Sequence, residues 1–201
     1  MQYLKAIEEL EPLYGPTSEG AQRKGSDHLT PLYMRWVSKA KFCVMATVGT
    51  EGTDASPRGD DGPVVRIQDP KTLLMPDWRG NNRIDSLRNI LEDGRVSLMF
   101  MVSGIKDVVR VNGCAQITAN ETLCQSFSHG GHSPRCVIEI AVKEVYIHCP
   151  KSVIRSNLWQ SDILANVPTI GDILKEVTKD GIGGKKFDKD LAQRTQTTLW
   201  S

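Results

Sequence analysis

The chain has 201 residues, 39% hydrophobic and 24% charged, with 25 Lys and Arg against 24 Asp and Glu and a formal net charge of +1. That balance suits one domain with a real core, and it excludes a transmembrane protein, a disordered tail and a basic nucleic-acid binder. Aromatic residues at 6% argue against a base-stacking surface, and residues 1–10 lack the basic and apolar regions of a signal peptide.

Leu4, Ile7, Leu10 and Leu13 recur at helical spacing, and Pro12 with Gly15-Pro16 ends the segment. Residues 28–39 give a second helical pattern that carries Leu32 and Trp36. From Ala40 the period changes. Residues 41–49 are rich in β-formers, and Thr50-Glu-Gly-Thr reads as a hairpin turn. Further strands are expected at 54–58, 64–67, 72–75, 95–102, 108–118 and 137–148. One helix interrupts them at 82–93, with Ile84, Leu87, Ile90 and Leu91 on its apolar face and Gly94 at the position after its end. After Cys149-Pro150 the chain turns helical and polar, with Gly181-Ile-Gly-Gly as a flexible break. Short strands joined by turns predict a mainly β domain, its antiparallel sheet closed into a small barrel with helical ends.

The five cysteines, Cys43, Cys114, Cys124, Cys136 and Cys149, are odd in number and form no CxxC pair. Neither a disulfide framework nor a zinc site is expected, and a reducing, cytoplasmic setting fits. Cys43, Cys136 and Cys149 lie in or beside apolar runs, which predicts burial.

The segment Pro76-Asp-Trp-Arg-Gly-Asn-Asn-Arg-Ile-Asp-Ser joins a strand end to a helix start. Free backbone N–H groups and the helix dipole make such a junction an anion site. Gly80 lets a ligand approach the backbone, Asn81, Asn82 and Ser86 supply donors, and Arg79 and Arg83 supply planar cationic forks. A solvated helix cap is the alternative, and spacing alone leaves both open. Ser56-Pro-Arg-Gly-Asp-Asp-Gly, at the end of the second expected strand, places Arg58 between Pro57 and Gly59. It reads either as an aimed arginine or as a charged turn.

Other templates are absent: no Gly-x-Ser-x-Gly elbow, no phosphate-binding Gly-x-x-x-x-Gly-Lys loop and no His-Glu-x-x-His helix. His129-Gly-Gly-His132 near Cys136 reads as an exposed hairpin tip, and no metal site is expected. No catalytic acid or base stands out.

At Ser56-Pro-Arg-Gly-Asp, Leu73-Leu-Met-Pro-Asp and Gly80-Asn-Asn-Arg-Ile-Asp-Ser-Leu-Arg-Asn-Ile the chain resembles the flavoproteins related to pyridoxamine 5′-phosphate oxidase. The likeness continues through Arg95-Val-Ser-Leu-Met-Phe, Arg110-Val-Asn-Gly and Cys149-Pro-Lys-Ser-Val-Ile-Arg-Ser-Asn-Leu-Trp, and spans residues 29–159. It implies a single domain: helices at 1–39, a six-stranded antiparallel split β-barrel at 40–149 and a helical tail at 150–201. It also implies a homodimer with FMN at the subunit interface and a small-molecule substrate. By that resemblance Arg58, Gly59 and Asp60 lie beside the flavin, and Pro76 and Asp77 line its ring and ribityl chain. Asn81, Asn82 and Arg83, with Arg79, Gly80 and Ser86, take the phosphate, while Lys151, Arg155 and Trp159 come near the ring. The tail lacks the Arg-Leu-His-like segment that recognises pyridoxal phosphate in the vitamin-producing members. The expected function is therefore FMN-dependent hydride transfer between flavin N5 and another small substrate. A flavin-binding sensor without turnover, or a barrel for another phosphorylated cofactor, is the alternative.

Overall fold

The structure is a computed structural model that describes residues 1, 3–160 and 167–200. Seven antiparallel strands form its centre: β1 (Phe42–Gly49), β2 (Gly52–Gly59), β3 (Arg66–Asp69), β4 (Thr72–Asp77), β5 (Arg95–Met101), β6 (Val108–Thr118) and β7 (Cys136–His148). Helices flank them: α1 (Ile7–Leu10), α2 (Glu19–Arg23), α3 (Pro31–Val37), α4 (Asp85–Glu92), α5 (Glu121–Gln125), α6 (Lys151–Ser156), α7 (Ile170–Val177) and α8 (Gly184–Thr197). The mainly β, antiparallel class expected from the sequence is what the chain adopts. The sheet has seven strands rather than six, in the order β2-β1-β5-β6-β7-β4-β3, and this ladder does not close. β2 and β3 remain as its edges because β3 pairs only with β4 and β2 only with β1.

Strand alternation builds the core. Cys43 and Met45 of β1, Val96, Leu98 and Phe100 of β5, and Val109 and Val111 of β6 are buried at alternate positions. On β7 the buried series Ile138, Ile140, Val142 resumes at Val145, one residue out of phase. The cause is a bulge: Asn112 opposes Glu144, whereas Gly113 opposes Val142, so Lys143 is the extra residue. A Cβ at Gly113 would stand 2.3 Å from the Ala141 carbonyl oxygen, so only glycine fits there. β4 is buried on both faces, and Leu74 packs with Val137 and Cys124 in a second small cluster beneath α5.

The helices differ more from expectation. The N-terminal apolar residues Leu4, Ile7, Leu10 and Leu13 are all exposed, and only Ile7–Leu10 plus a 3-10 turn, Glu11–Leu13, is helical. In α3 the packed face is Tyr33, Met34, Trp36 and Val37, while Leu32 is exposed. In α4 only Leu87 and Ile90 reach the core; Ile84 and Leu91 are exposed. Gly94 does end that helix, with φ +77. The sequence 181–184 is a close-packed turn rather than a flexible break. A Cβ at Gly183 would meet the Gly171 oxygen at 2.4 Å, and Asp188 of α8 accepts the Gly171 N–H at 2.8 Å. The stretch of the expected helical tail at 161–166 lies outside the described residues. No helix among the described residues is long and apolar enough to cross a membrane.

All five cysteines are free; Cys43, Cys124 and Cys136 are buried, whereas Cys114 and Cys149 are exposed. Burial of Cys149 was expected from its apolar neighbours, but it follows the end of β7 and faces solvent.

Candidate functional site

Two strand ends meet across the open side of the sheet. β2 is an edge strand, which is where Pro57, with no N–H to give a ladder, is tolerated. Arg58 follows it, paired in register with Cys43 of β1. On the far side of the sheet, β4 ends at Pro76 and Asp77, beyond the reach of β3. The Arg58 guanidinium donates through Nη1 to Asp77 Oδ1, and each side chain is only 17% exposed. Arg58 Nε is buried and has no acceptor among the described residues. A buried donor left unmatched costs about 1–3 kcal/mol, so an oxygen acceptor at this atom would be stabilising.

Around this pair lies a cleft of about 960 Å³, at the upper end of the volumes that enclose a drug-sized ligand. Its walls contain Arg58, Gly59, Asp60, Pro76, Asp77, Arg79, Gly80, Asn81, Asn82, Arg83 and Ser86, which brings together eleven of the fourteen residues singled out in the sequence. Asp60 Oδ2 accepts the Trp78 indole N–H at 3.0 Å and its Oδ1 accepts the Gly62 N–H at 3.2 Å. Asn81 Oδ1 accepts the Arg83 N–H at 2.9 Å, and Asn82 takes a left-handed conformation at φ +61. These asparagines shape the loop and do not cap the helix. α4 begins at Asp85, three residues later than the spacing predicts, and its N-cap position, Ile84, offers no side-chain acceptor. The first-turn N–H groups of α4 therefore have no side-chain cap. Ser86 is buried there, and its hydroxyl donates to Asp54. A Cβ at Gly80 would meet nothing within 4 Å, so no contact inside the protomer demands glycine at that position.

The charges are balanced rather than uniformly positive. Arg83 pairs with Asp85 at 2.5 Å, Arg135 donates to Asn82 Oδ1 at 3.2 Å, and Arg79 has no side-chain partner among the described residues. Arg135, Cys136, Trp78, Leu199 and Trp200 also line the cleft and were not singled out as site residues. Arg135 and Trp200 come from sequence far from either motif, and only the fold brings them in.

Lys151, Arg155 and Trp159 do not join the other eleven. Lys151 and Arg155 are exposed on α6, and Trp159 Nε1 donates to the Ile105 carbonyl at 2.8 Å, on the β5–β6 loop. His129 and His132 exchange backbone hydrogen bonds of 2.8 and 2.9 Å across Gly130 and Gly131, whose φ values are +56 and +83. This is the two-residue hairpin that paired glycines favour.

Cys136 opposes Asp77 in the β4–β7 ladder. Burial first, then the Asp77 carboxylate, pushes its thiol from the ordinary 9.0 up to about 11; burial takes Cys43 up to about 12. Both remain neutral thiols at pH 7. The folded chain thus keeps protons that the unfolded chain releases above the ordinary thiol value, and the resulting stability is complete below pH 9 and declines as pH rises toward 11. The melting temperature is expected to fall over that window, and less so in Cys136→Ala; an identical alkaline slope in both proteins would contradict the assignment.

The fold and cleft define a mainly β, antiparallel protein with flanking helices and a partly buried arginine at an anion-compatible cleft. The profile for pyridoxamine 5′-phosphate oxidase matches residues 29–149, and the chain belongs to that family. Among solved structures it is similar to HupZ from Group A Streptococcus, at 21% identity and TM-score 0.44 over 58% of this chain and 91% of that one. It is also similar to General Stress Protein 26 from Bacillus anthracis, at 17% identity and TM-score 0.42 over 57% and 88% of the two chains. A third is the FAD binding protein from Mycobacterium smegmatis, at 11% identity and TM-score 0.41 over 61% and 97%. No curated protein matches the chain in sequence.

Proposed function

We propose that this protein binds FMN in the cleft and acts as an FMN-dependent oxidoreductase on a small molecule. The observation that carries the reading is the buried Arg58 Nε, which has no acceptor among the described residues and lies in the same cleft as the start of α4, where the N-cap residue Ile84 offers no side-chain cap. A phosphate answers both needs at once: anionic oxygens accept from a guanidinium and sit well at a helix N-terminus. Family membership supports a flavin as the bearer of that phosphate.

In this reading Arg58, Arg83, Asn81, Asn82 and the α4 amides hold the phosphate, with Arg79 and Arg135 adding charge. Gly59, Asp60, Pro76 and Asp77 line the rest of the molecule. Bound FMN supplies one- and two-electron redox chemistry that no side chain here provides. The chain's own residues do the positioning. Asp77 fixes the Arg58 fork, Asp60 holds the Trp78 indole, and the apolar side chains of Val64 and Leu87 line the same cleft and limit water. Cys136, kept as a neutral thiol, adds no charge to the wall.

The reading includes a homodimer with FMN at its interface. Phe42, Met99, Ile154 and Leu158 are exposed apolar residues that a second copy would cover. Lys151, Arg155 and Trp159 are absent from the protomer's own cleft, so they would serve the site of the second copy. Five free cysteines are in keeping with a reducing, cytoplasmic setting.

The test is a titration with FMN and with riboflavin, which lacks the phosphate. FMN is expected to bind about 100-fold more tightly, the worth of two charge-assisted hydrogen bonds. Failure to bind either ligand would overturn the flavin reading, and equal affinities would overturn the phosphate assignment. If FMN binds, anaerobic reduction followed by exposure to candidate acceptors separates turnover from simple binding.

A further inference from the structure

The chain after α8 turns back onto the cleft, where Leu199 and Trp200 join its lining. The Trp200 ring lies 4.3 Å from that of His129, tilted by 38°, and 5.1 Å from that of Trp78, nearly perpendicular at 87°. These two jaws come from different parts of the fold. His129 sits on the Gly130–Gly131 hairpin before β7, and Trp78 sits on the loop between β4 and α4.

Adjacent residues just after β2 anchor both jaws. Asp60 accepts the Trp78 indole N–H at 3.0 Å, and Asp61 Oδ2 stands 3.6 Å from His129 Nε2. Among the described residues, no hydrogen bond ties Leu199 or Trp200 to the barrel. Thr198, just before them, bonds only locally, to the carbonyls of Arg194 and Thr195 at the end of α8, among the described residues. Ring contacts of modest strength, to Trp78 and to His129, therefore help hold Trp200 across the cleft. A contact of that kind can part and close again without unfolding anything beneath it.

We propose that Trp200 is a ligand-retaining wall of the cleft: clasped between Trp78 and His129, it covers a planar aromatic ligand and slows its escape. The proposal rests on the flavin reading for the identity of that ligand, and it adds a residue and a role which that reading does not contain. The indole surfaces of Trp78 and Trp200 suit a flat, electron-poor ring, the chemistry of an isoalloxazine. Asp60 and Asp61 then have a positioning task, since each orients one jaw. Closure involves no chemical step and needs no further reactant.

The experiment loads the full chain with FMN and follows flavin release by stopped flow, together with the emission of the bound flavin, in wild type, Trp200→Ala and Trp200→Phe. Trp200→Ala is expected to release FMN about tenfold faster and to brighten the bound flavin, because an indole beside the ring quenches it. Trp200→Phe keeps an aromatic wall and is expected to stay within about threefold of the wild-type rate. Trp200 lies outside the hydrophobic core, so the variants are expected to melt as wild type does, and a melt verifies that each comparison is made on folded protein. Unchanged release and unchanged emission in Trp200→Ala, with FMN bound by the wild type, would overturn the clasp and leave the flavin reading intact. A wild type that takes up no FMN would overturn the flavin reading and this proposal with it.

Discussion

Replacing Arg58 by Ala is expected to weaken FMN binding by about 100-fold or more and to lower the stability of the unliganded chain by about 2 kcal/mol. Both effects come from one side chain with two duties. Nη1 donates to Asp77, and Nε is buried with no acceptor among the described residues. The alanine variant removes the donor that the proposed phosphate would use and strands a carboxylate that is only 17% exposed. Arg58→Lys is the informative companion. A lysine keeps the charge but has one nitrogen where the arginine fork has several, so it can serve Asp77 or a phosphate but not both. It is expected to restore most of the stability and little of the affinity. Equilibrium titration and thermal melts measure the two quantities separately, and wild-type affinity in Arg58→Ala would remove Arg58 from the site.

Gly113→Ala carries the largest expected structural effect. The added methyl would stand 2.3 Å from the Ala141 carbonyl oxygen, which belongs to the backbone of the neighbouring strand and cannot rotate away. The clash falls at the β6–β7 bulge, where Gly113 faces Val142 and the ladder changes phase. Relief requires moving a strand whose residues Ile138, Ile140 and Val142 form the core. A loss of about 3 kcal/mol or more follows, or about 6–12 °C in Tm for a chain of this size. Gly80→Ala is the matching control, since its Cβ meets nothing within 4 Å, and it is expected to melt like wild type. A Gly113→Ala protein that melts within a degree or two of wild type would show that β7 yields more easily than its packing implies.

Much of this architecture is legible in the sequence. The β-formers from 41 to 49 and the Thr50-Glu-Gly-Thr turn become β1 and β2, joined through Thr50 and Glu51 in register from Gly49↔Gly52. The seven runs of strand character match seven strands, and it was the resemblance, not the periodicity, that suggested six. Arg58 and the segment from 76 to 86 share one cleft because Arg58 lies at the end of β2 and Pro76 and Asp77 at the end of β4, and strand ends are easy to read. What was hidden has physical reasons. α4 starts later than the spacing predicts because asparagines that usually cap helices here bend the preceding loop, with Asn82 left-handed. α5 is five residues long, too short for a periodic signal. Gly183 looked like slack because a sequence does not say what stands 2.4 Å away. Arg135 reaches the cleft through the β4–β7 ladder, its backbone N–H donating to the Asp77 carbonyl, and Trp200 through its ring contacts, both from segments that carry no motif.

The Arg58–Asp77 pair has a thermodynamic consequence. Arg58 belongs to the first strand in the sheet order and Asp77 to the sixth, so their ion pair bridges two margins that the ladder leaves unjoined. The cleft is thus the suture of the β-structure as well as a pocket on it. A ligand seated there raises the free energy needed to part those margins in proportion to how well it is bound, by ordinary linkage. Opening fluctuations that begin at β2 and at the end of β4 are the ones such a ligand suppresses first. Occupancy and local rigidity are then two readings of a single equilibrium: when the ligand departs, the protein loosens along the line where the barrel was never sealed.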